Sequence, residues 1–290
     1  MPEDLSFAPP AQGRPVRLTT RRGDFAALRA EPAQGPHRGT VLLLPGYTGS
    51  KEEFAPLFPY VTAAGYRAVA VDARGQYETD GPDGEEAYRQ SALGLDVLAQ
   101  AETLGEPVHL LGHSMGGQVA RAAVLSDPRP FASLTLLSSG PARVGEERQS
   151  QLELLLGALE TMTMAQVWEA MRNRRPAPAS PADAERLRAR WMRTHVSHLR
   201  VVGRQLLTEP DRTAELAALT SLPKHVVYGD ADDTWPLAEL EDMATRLDAR
   251  RSVLAGAGHS PNLQRPADTA TALIGFWSGL YRDGEDRAVQ

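Results

Sequence analysis

Short apolar runs alternate with longer amphipathic segments along most of the chain. The apolar runs are rich in Val, Leu and Ala, and Pro45-Gly46 ends the run TVLLL at 40–44. A continuous apolar run of this length is typical of a central strand that is buried on both faces. The pattern predicts eight strands, at 16–20, 24–30, 40–44, 67–71, 108–111, 134–137, 225–228 and 252–254. It predicts intervening helices at 52–64, 86–104, from the 112–117 segment to 125, at 237–247 and from about 267 to 281.

The alternation of strands and helices stops between Arg143 and Leu219, where the sequence carries no strand pattern. The composition there is helical, with a long helical stretch at 182–207 and a proline-rich loop at 176–181. Strands that alternate with helices are typical of an α/β fold with a mostly parallel sheet. We therefore expect an α/β core formed by residues 1–140 and 221–290. A helical cap, or lid, at 141–220 is inserted after its sixth strand.

Composition places the chain among globular proteins. The 290 residues are 42% hydrophobic and 23% charged, which suffices for a packed core and argues against a disordered chain. No apolar run approaches the roughly 20 residues of a membrane-spanning helix. The net charge of -6 lacks the basic footprint of a nucleic-acid-binding protein. The N-terminus is polar and proline-rich without a secretory pattern, and cysteine is absent. These features lead us to expect a soluble cytoplasmic protein without disulfides or zinc–thiolate sites.

One serine lies in a strand–turn–helix context that favours a nucleophile. The segment Gly112-His113-Ser114-Met115-Gly116 matches the pattern G-x-S-x-G, after a predicted strand and before a predicted helix. In this context the turn presents the serine hydroxyl at the carboxyl edge of the sheet. The pattern alone is weak because glycine and serine are common, but its position is the one that a nucleophile elbow requires. A glycine-rich turn without catalytic function is the alternative.

Ser114 needs a base to remove its proton, and among the seven histidines His259 fits this role best. It lies in a glycine-containing loop after the last predicted strand, whereas the others precede or lie within strands, in the glycine-rich turn or in the insertion. A carboxylate that orients the histidine is expected in the loop after the predicted strand 225–228. That loop contains Asp230, Asp232 and Asp233. We favour Asp232 and keep the other two as alternatives.

Five segments occur in the order found in one protein superfamily. They are PGYTGS from residue 45, DARG from 72, GHSMGG from 112, GDADDTWP from 229 and GAGHS from 256. On these segments the chain resembles the α/β-hydrolase superfamily, specifically its capped serine hydrolases of the carboxylesterase or monoacylglycerol-lipase type. The resemblance covers about 16–140 and 221–281. In such families the acid lies three residues after a glycine and four before a proline, which matches Asp232 between Gly229 and Pro236.

The resemblance implies an α/β-hydrolase fold and a triad of Ser114, His259 and Asp232 that needs no metal or organic cofactor. It also implies an oxyanion hole formed by the backbone N–H groups of Tyr47 and Met115. The implied function is hydrolysis of a small, apolar carboxylic ester, or of a thioester, lactone or amide, through an acyl-enzyme.

Two segments depart from common relatives. Pro45-Gly46 stands where relatives commonly carry His-Gly, and 72–79 reads DARGQYET where they often read D-x-R-G-H-G-x-S. The second loop borders the expected site, so we expect a substrate pocket that differs from that of common relatives.

Aromatic side chains near the expected site are candidates for its substrate pocket. The candidates are His113, Trp168, Trp191 and Trp235. Apolar residues at helical spacing are most often core residues, so a purely structural role is the alternative for the tryptophans of the insertion. His195 and His198 are three residues apart, but neither a carboxylate nor a third histidine accompanies them at ligand spacing. We therefore expect no metal site there.

Other functions stay open from the sequence. The same triad supports acyl transfer, perhydrolysis without a cofactor, or hydrolysis of a C–C bond. A ligand-binding protein that retains the fold without catalysis is the alternative from another class. Haloalkane dehalogenases and epoxide hydrolases are disfavoured, because relatives of those types need an aspartate where this chain has Ser114.

Overall fold

The computed structural model describes residues 13–32, 35–172 and 180–288, and eight strands within them form one sheet. The strands are β1 (Arg14–Thr20), β2 (Gly23–Ala30), β3 (Thr40–Leu44), β4 (Arg67–Val71), β5 (Val108–His113), β6 (Phe131–Leu137), β7 (Lys224–Gly229) and β8 (Arg250–Leu254). Their order across the sheet is β1-β2-β4-β3-β5-β6-β7-β8. Strands β3 to β8 pair in parallel, whereas β1 and β2 form an antiparallel hairpin at one edge. The expected mostly parallel sheet is therefore confirmed.

Helices occupy most of the connections between these strands. They are α1 (Phe58–Ala63), α2 (Gln90–Leu104), α3 (Met115–Ser126), α4 (Glu146–Thr161), α5 (Met164–Arg172), α6 (Pro181–Arg193), α7 (Val196–Thr208), α8 (Thr213–Ala217), α9 (Leu237–Arg246), α10 (Pro261–Gln264) and α11 (Pro266–Ala288). The helix predicted at 52–64 begins instead as the 3-10 helix Lys51–Leu57 and becomes α1. Pro56 lies inside the 3-10 segment and lacks the N–H that an α-helical hydrogen bond requires.

Strand β3 explains why the sheet is covered on both faces. All five of its residues are buried, and successive side chains of a strand point to opposite faces. Leu42 and Leu44 belong to an apolar cluster with residues of α2 and α3, whereas Val41 and Leu43 belong to a second cluster with residues of α1 and α11. A strand buried on both sides favours apolar residues, and four of the five residues of β3 are apolar.

Helices α4 to α8 form an insertion between β6 and β7, which confirms the expected helical segment after the sixth strand. The insertion has a small apolar cluster of its own, built around Trp168, Trp191 and Leu199. The predicted helical stretch 182–207 is divided into α6 and α7, because the backbone is extended at Thr194 and His195. His195 caps the second helix by accepting a hydrogen bond from Ser197 N–H.

None of the helices among the described residues is long and apolar enough to span a membrane. Residues 176–179 of the loop expected at 176–181 lie outside the described ranges.

A buried ion pair joins the insertion to helix α3 of the core. Arg121 of α3 donates to Pro141 O at 2.6 Å, just after β6, and to Glu209 Oε1 at 2.5 Å, just after α7. The side chains of Arg121 and Glu209 are 2% and 4% exposed. One guanidinium group therefore bonds both the start of the insertion and the segment that follows α7.

We expect Glu209→Ala to lower the free energy of unfolding by about 3–5 kcal/mol, because it leaves the Arg121 charge buried without its partner. Urea denaturation measures this loss. Glu215→Ala is the matched control, since Glu215 forms a largely exposed pair with Arg212, and its unfolding midpoint should stay near that of the wild type. Equal stability of the two variants would contradict the proposed importance of the buried pair.

Candidate active site

Ser114 lies at a sharp turn between β5 and α3. Its backbone has φ 54° and ψ −120°, a positive-φ conformation that is strained for a residue with a side chain. Ser114 N–H donates to Leu137 O at 2.9 Å, which fixes the turn against the end of β6. A Cβ atom at Gly116 would lie 2.4 Å from Leu44 O, so only glycine lets α3 approach the end of β3 this closely. The turn thus has the geometry that the G-x-S-x-G pattern predicts.

Three polar side chains from separate loops form a hydrogen-bonded series. Ser114 Oγ lies 2.9 Å from His259 Nε2, and His259 Nδ1 lies 3.0 Å from Asp232 Oδ1. His259 follows β8 and Asp232 follows β7, and the carboxyl ends of these parallel strands meet at the same edge of the sheet as β5. The Asp232 side chain is fully buried, whereas the His259 side chain is 25% exposed. In this geometry the imidazole can accept the serine proton while the carboxylate orients the ring.

The other two aspartates of the same loop have different partners. Asp230 accepts a hydrogen bond from Gly256 N–H, and Asp233 forms an ion pair with Arg148 at 2.8 Å. Burial by itself would raise the pKa of Asp232, but its hydrogen bond and charge interaction with His259 outweigh this and hold the pKa below its ordinary value. An ionised carboxylate at this position can accept a hydrogen bond from the His259 ring and so orient it towards Ser114.

The loop after β3 lies against the other side of Ser114. A Cβ atom at Gly46 would lie 3.5 Å from Ser114 Cβ, which places Tyr47, the next residue, beside the serine. Met115 is the first residue of α3, where backbone N–H groups have no partner within the helix and attract negative charge. Tyr47 and Met115 are thus both adjacent to Ser114, on the sides where the sequence places the oxyanion hole.

Gln76 holds in place the loop that follows β3 and contains Tyr47 (the Tyr47 loop). The sequence alone assigned no role to Gln76. Its fully buried side chain donates to Gly46 O at 2.9 Å and to Tyr47 O at 3.1 Å. Gln76 occupies the position of the histidine in the D-x-R-G-H pattern of common relatives. The departure from that pattern therefore falls on a residue that shapes the loop next to the serine.

A cavity of about 350 Å³ opens onto Ser114 and His259. The core supplies one wall from the loops after β3, β5, β7 and β8. The insertion supplies the other, with the side chains Val144, Arg148, Gln151, Leu152, Leu155, Met171, Arg190 and Leu206. Most of these side chains are apolar, and the arginines come from α4 and α6. The cavity is therefore a cleft between core and insertion.

His113 is among the residues that line this cavity, whereas Trp168, Trp191 and Trp235 are not, and their role in a substrate pocket stays a prediction. The Trp191 indole N–H donates to Met164 O at 2.7 Å, which holds the ring in the apolar cluster of the insertion together with Trp168. Trp235 is buried behind His259 and donates to Ala142 O and Arg143 O at 3.0 and 3.1 Å. Each hydrogen-bonded indole faces a backbone carbonyl group instead of the cavity.

His195 and His198 have separate partners. His195 Nε2 lies 3.2 Å from Asp83 Oδ1, and His198 Nδ1 lies 2.9 Å from Arg74 O. Among the described residues, no group of three or more His, Cys, Asp or Glu side chains is arranged to hold a metal ion.

Glu53 is a second residue that the sequence did not assign to the site. Its carboxylate lies 2.7 Å from His113 Nδ1, and both side chains are 6% exposed. A signal for it exists in the sequence, because Glu53 lies four residues before Leu57 and eight before Val61, in register with the apolar face of the predicted helix. An acidic residue on an apolar face is a candidate for a buried, paired carboxylate.

The chain resembles one family model and several known proteins. Residues 41–272 match the model of the alpha/beta hydrolase family. A pimeloyl-[acyl-carrier protein] methyl ester esterase of Aeromonas hydrophila subsp. hydrophila is 28% identical over 242 residues, covering 80% of this chain and 92% of that protein. A hydrolase from Pseudomonas aeruginosa PA01 superposes with a TM-score of 0.73 at 25% identity, covering 91% of this chain and 98% of that one. A thermophilic esterase from Thermogutta terrifontis shares the fold, with a TM-score of 0.72 at 22% identity over 92% and 99% of the two chains.

We expect Gly229→Ala to destabilise the protein by about 1–3 kcal/mol, because a new methyl group would overpack the contact between the two loops that carry Asp232 and His259. A Cβ atom at Gly229 would lie 2.1 Å from Ala257 O and 2.5 Å from Gly258 O, and both contacts are to backbone. Urea denaturation measures the loss. Gly157→Ala in α4 is the control, since nothing lies within 4 Å of its added Cβ and alanine favours the helix by about 0.5–1 kcal/mol. A Gly229→Ala protein as stable as the wild type would contradict this close approach.

Proposed function

We propose that this chain, which belongs to the alpha/beta hydrolase family, is a serine hydrolase that cleaves a carboxylic ester or a related thioester, lactone or amide. The observation that carries the proposal is the series of hydrogen bonds from Ser114 Oγ through His259 to Asp232, at 2.9 and 3.0 Å. The sequence similarity to a methyl ester esterase over most of both chains also supports it. Ester cleavage is a reaction that this constellation supports and that the names of two of the relatives, the methyl ester esterase and the thermophilic esterase, state.

In the proposed reaction Ser114 Oγ attacks the ester carbonyl carbon while its proton moves to His259 Nε2. The tetrahedral intermediate then breaks its bond to the alkoxy oxygen, and His259 returns the proton to the departing alcohol. This leaves an acyl group on Ser114. A water molecule attacks that acyl group, His259 takes its proton, and release of the carboxylic acid restores the Ser114 hydroxyl. Asp232 keeps the ring of His259 oriented and stabilises its protonated form throughout.

We assign the oxyanion hole to the backbone N–H groups of Tyr47 and Met115. Negative charge grows on the carbonyl oxygen during attack, and fixed backbone donors stabilise this charge without reorganising. The position of Met115 at the first turn of α3 adds the positive end of the helix dipole. The hydrogen bonds from Gln76 fix the Tyr47 loop before substrate binds.

The cavity favours a small substrate with an apolar part. A volume of about 350 Å³ falls at the lower end of the usual range for small-molecule sites. Its apolar walls come chiefly from the insertion, at Val144, Leu152, Leu155 and Leu206. We therefore assign the insertion, residues 141–220, as a cap domain that selects the substrate, and residues 1–140 and 221–290 as the core domain that carries the triad.

We expect the protein to hydrolyse nitrophenyl esters, and Ser114→Ala to lower kcat about 10⁴-fold or more, because the nucleophile is lost. His259→Ala should cause a similar loss and Asp232→Asn a substantial one, measured as nitrophenol release across a series of acyl lengths. A short-chain optimum would indicate a carboxylesterase, and a long-chain optimum an enzyme of the monoacylglycerol-lipase type.

Ser150→Ala and His37→Gln are the matched controls, because both side chains are exposed and lie outside the cavity. A fluorophosphonate probe should add a single label to the wild type and none to Ser114→Ala, as read by mass spectrometry. Failure of the probe to label Ser114, with no ester hydrolysed, would overturn the proposal and favour a ligand-binding protein. Products that carry an added alcohol or peroxide in preference to water would show acyl transfer or perhydrolysis instead.

A further inference from the structure

A second acid–imidazole pair lies beside the proposed triad, and the reaction as described does not use it. His113 Nδ1 lies 2.7 Å from Glu53 Oε1, and each side chain is 6% exposed. The rings of His113 and His259 are adjacent, with centroids 5.1 Å apart. A buried acid and a buried imidazole are costly to enclose unless they stabilise each other.

Both ring nitrogens of His113 face hydrogen-bond acceptors. Nε2 lies 2.8 Å from the backbone carbonyl oxygen of His259, which can only accept, so Nε2 carries a proton. Nδ1 faces the Glu53 carboxylate, and the same oxygen, Oε1, also accepts a hydrogen bond from Gly46 N–H at 3.2 Å. An unprotonated Nδ1 would direct a lone pair at that carboxylate oxygen at 2.7 Å. The contact therefore needs one proton between Nδ1 and Oε1, and the second hydrogen bond that Oε1 accepts from Gly46 N–H favours the form in which that proton is on His113.

We propose that His113 is held as an imidazolium by Glu53, and that this pair positions the proposed oxyanion loop and the loop of His259 relative to each other. The inference rests on the function proposed above, because it assigns both loops to one catalytic site. On one side the pair holds Gly46, the residue before Tyr47, through Glu53. On the other side it holds the backbone of His259 through His113. His113 and Glu53 are positioning residues, since the proton transfers described above do not involve them.

An additional hydrogen bond ties the Glu53 backbone to the segment that follows His259. Asn262 of α10, three residues after His259, donates from Nδ2 to Glu53 O at 2.8 Å. The backbone of Glu53 is thus bonded directly to the part of the chain that carries the base, whereas its side chain reaches the His259 carbonyl only through His113. Displacing Glu53 would change the distance between His259 and the Tyr47 loop.

Charged groups on several elements surround the pair. Asp232 acts on His113 from the loop after β7, and Arg190 of α6 interacts with Glu53 across the cavity. Burial would lower the pKa of His113, but the adjacent Glu53 charge, its hydrogen bond, the His259 carbonyl and Asp232 outweigh burial and raise the pKa above its ordinary value. The stabilisation from the pair is therefore complete below the ordinary pKa of about 6.5 and is lost only as the pH rises through the higher folded-state value.

Glutamine at position 53 cannot satisfy all three hydrogen bonds. If its oxygen accepts from Gly46 N–H, two states of the His113 ring are possible. Either both ring nitrogens are protonated and the positive charge has no adjacent carboxylate, or Nε2 loses its proton and no longer donates to His259 O. If its amide nitrogen takes that place, Gly46 N–H loses its acceptor. We expect Glu53→Gln to lower kcat about tenfold to a hundredfold with little change in KM, because a displaced oxyanion donor weakens binding of the transition state and not of the ester.

Glu53→Asp is the conservative variant and should recover part of the lost kcat. It keeps the carboxylate charge but places it farther from His113 and Gly46. Glu52→Gln is the matched control, because Glu52 pairs with Lys51 at 2.9 Å and touches neither His113 nor Gly46 within hydrogen-bond distance. Its kcat should equal that of the wild type. A Glu53→Gln enzyme with wild-type kcat, or one whose loss is entirely in KM, would overturn the positioning role.

The protonation state is measured without any substrate. Two-bond proton–nitrogen NMR spectra of histidine-labelled protein, assigned with His113→Asn, should show both His113 nitrogens protonated at pH 8 in the wild type and in Ser114→Ala. In Glu53→Gln one nitrogen should be unprotonated at that pH. A wild-type His113 that loses its proton at or below about pH 6.5 would overturn the imidazolium. Because this spectrum does not depend on turnover, it separates failure of the pair from failure of the proposed hydrolase function.

Discussion

The close contact of β5, α3 and β3 around Ser114 is the constraint on which the rest of the site depends. A serine with φ 54° stores strain of about 1–3 kcal/mol, and it persists only where the surroundings over-determine the backbone. Here the Ser114 N–H is bonded to the end of β6, and Gly116 allows the helix to press against the last carbonyl of β3. The buried strands that supply this framework are apolar at nearly every position, so the stability of the core is what holds the strained turn.

Two acid–imidazole pairs with different burial flank the serine. Asp232–His259 leaves the imidazole 25% exposed and in contact with the serine hydroxyl, so its ring can exchange a proton with a substrate or with water. Glu53–His113 is almost fully enclosed, and both nitrogens of its ring are already engaged by protein acceptors. The same pair of functional groups is thus suited to proton transfer in one case and to holding loops in the other. The two pairs therefore differ in how exposed the imidazole ring is, and not in their functional groups.

The insertion completes the cavity without supplying the reacting groups. It is joined to the core by the buried Arg121–Glu209 pair, and the Tyr47 hydroxyl donates to Leu199 O of α7 across the cleft. That second contact links the loop beside the serine to a helix of the insertion. Apolar side chains of the insertion close the cavity over the proposed nucleophile, which gives a substrate both a binding surface and a partly enclosed reaction site.

The sequence by itself determined the elements and the proposed reacting residues. Apolar runs predicted all eight strands, and β3 and β4, which are buried at nearly every position, have the predicted bounds. The glycine-rich turn singled out Ser114, and the order of motifs singled out His259 and Asp232, because each of these residues carries a local pattern around it. Choosing Asp232 over Asp230 and Asp233 also followed from spacing, and in the structure it is Asp232 that lies against the imidazole.

Only the tertiary structure decided which distant residues support that site. Gln76 and Glu53 act on the Tyr47 loop through contacts between separate segments, and Glu53 reaches His113 across 60 positions of sequence. Trp191 and Trp235, which the sequence indicated as candidate pocket residues, donate to backbone carbonyl groups. The insertion's wall of the cavity comes from leucines, a valine, a methionine, a glutamine and arginines that have no motif. Local patterns report burial and turns, whereas the partner of a buried polar group depends on how the whole chain folds, which no local pattern encodes.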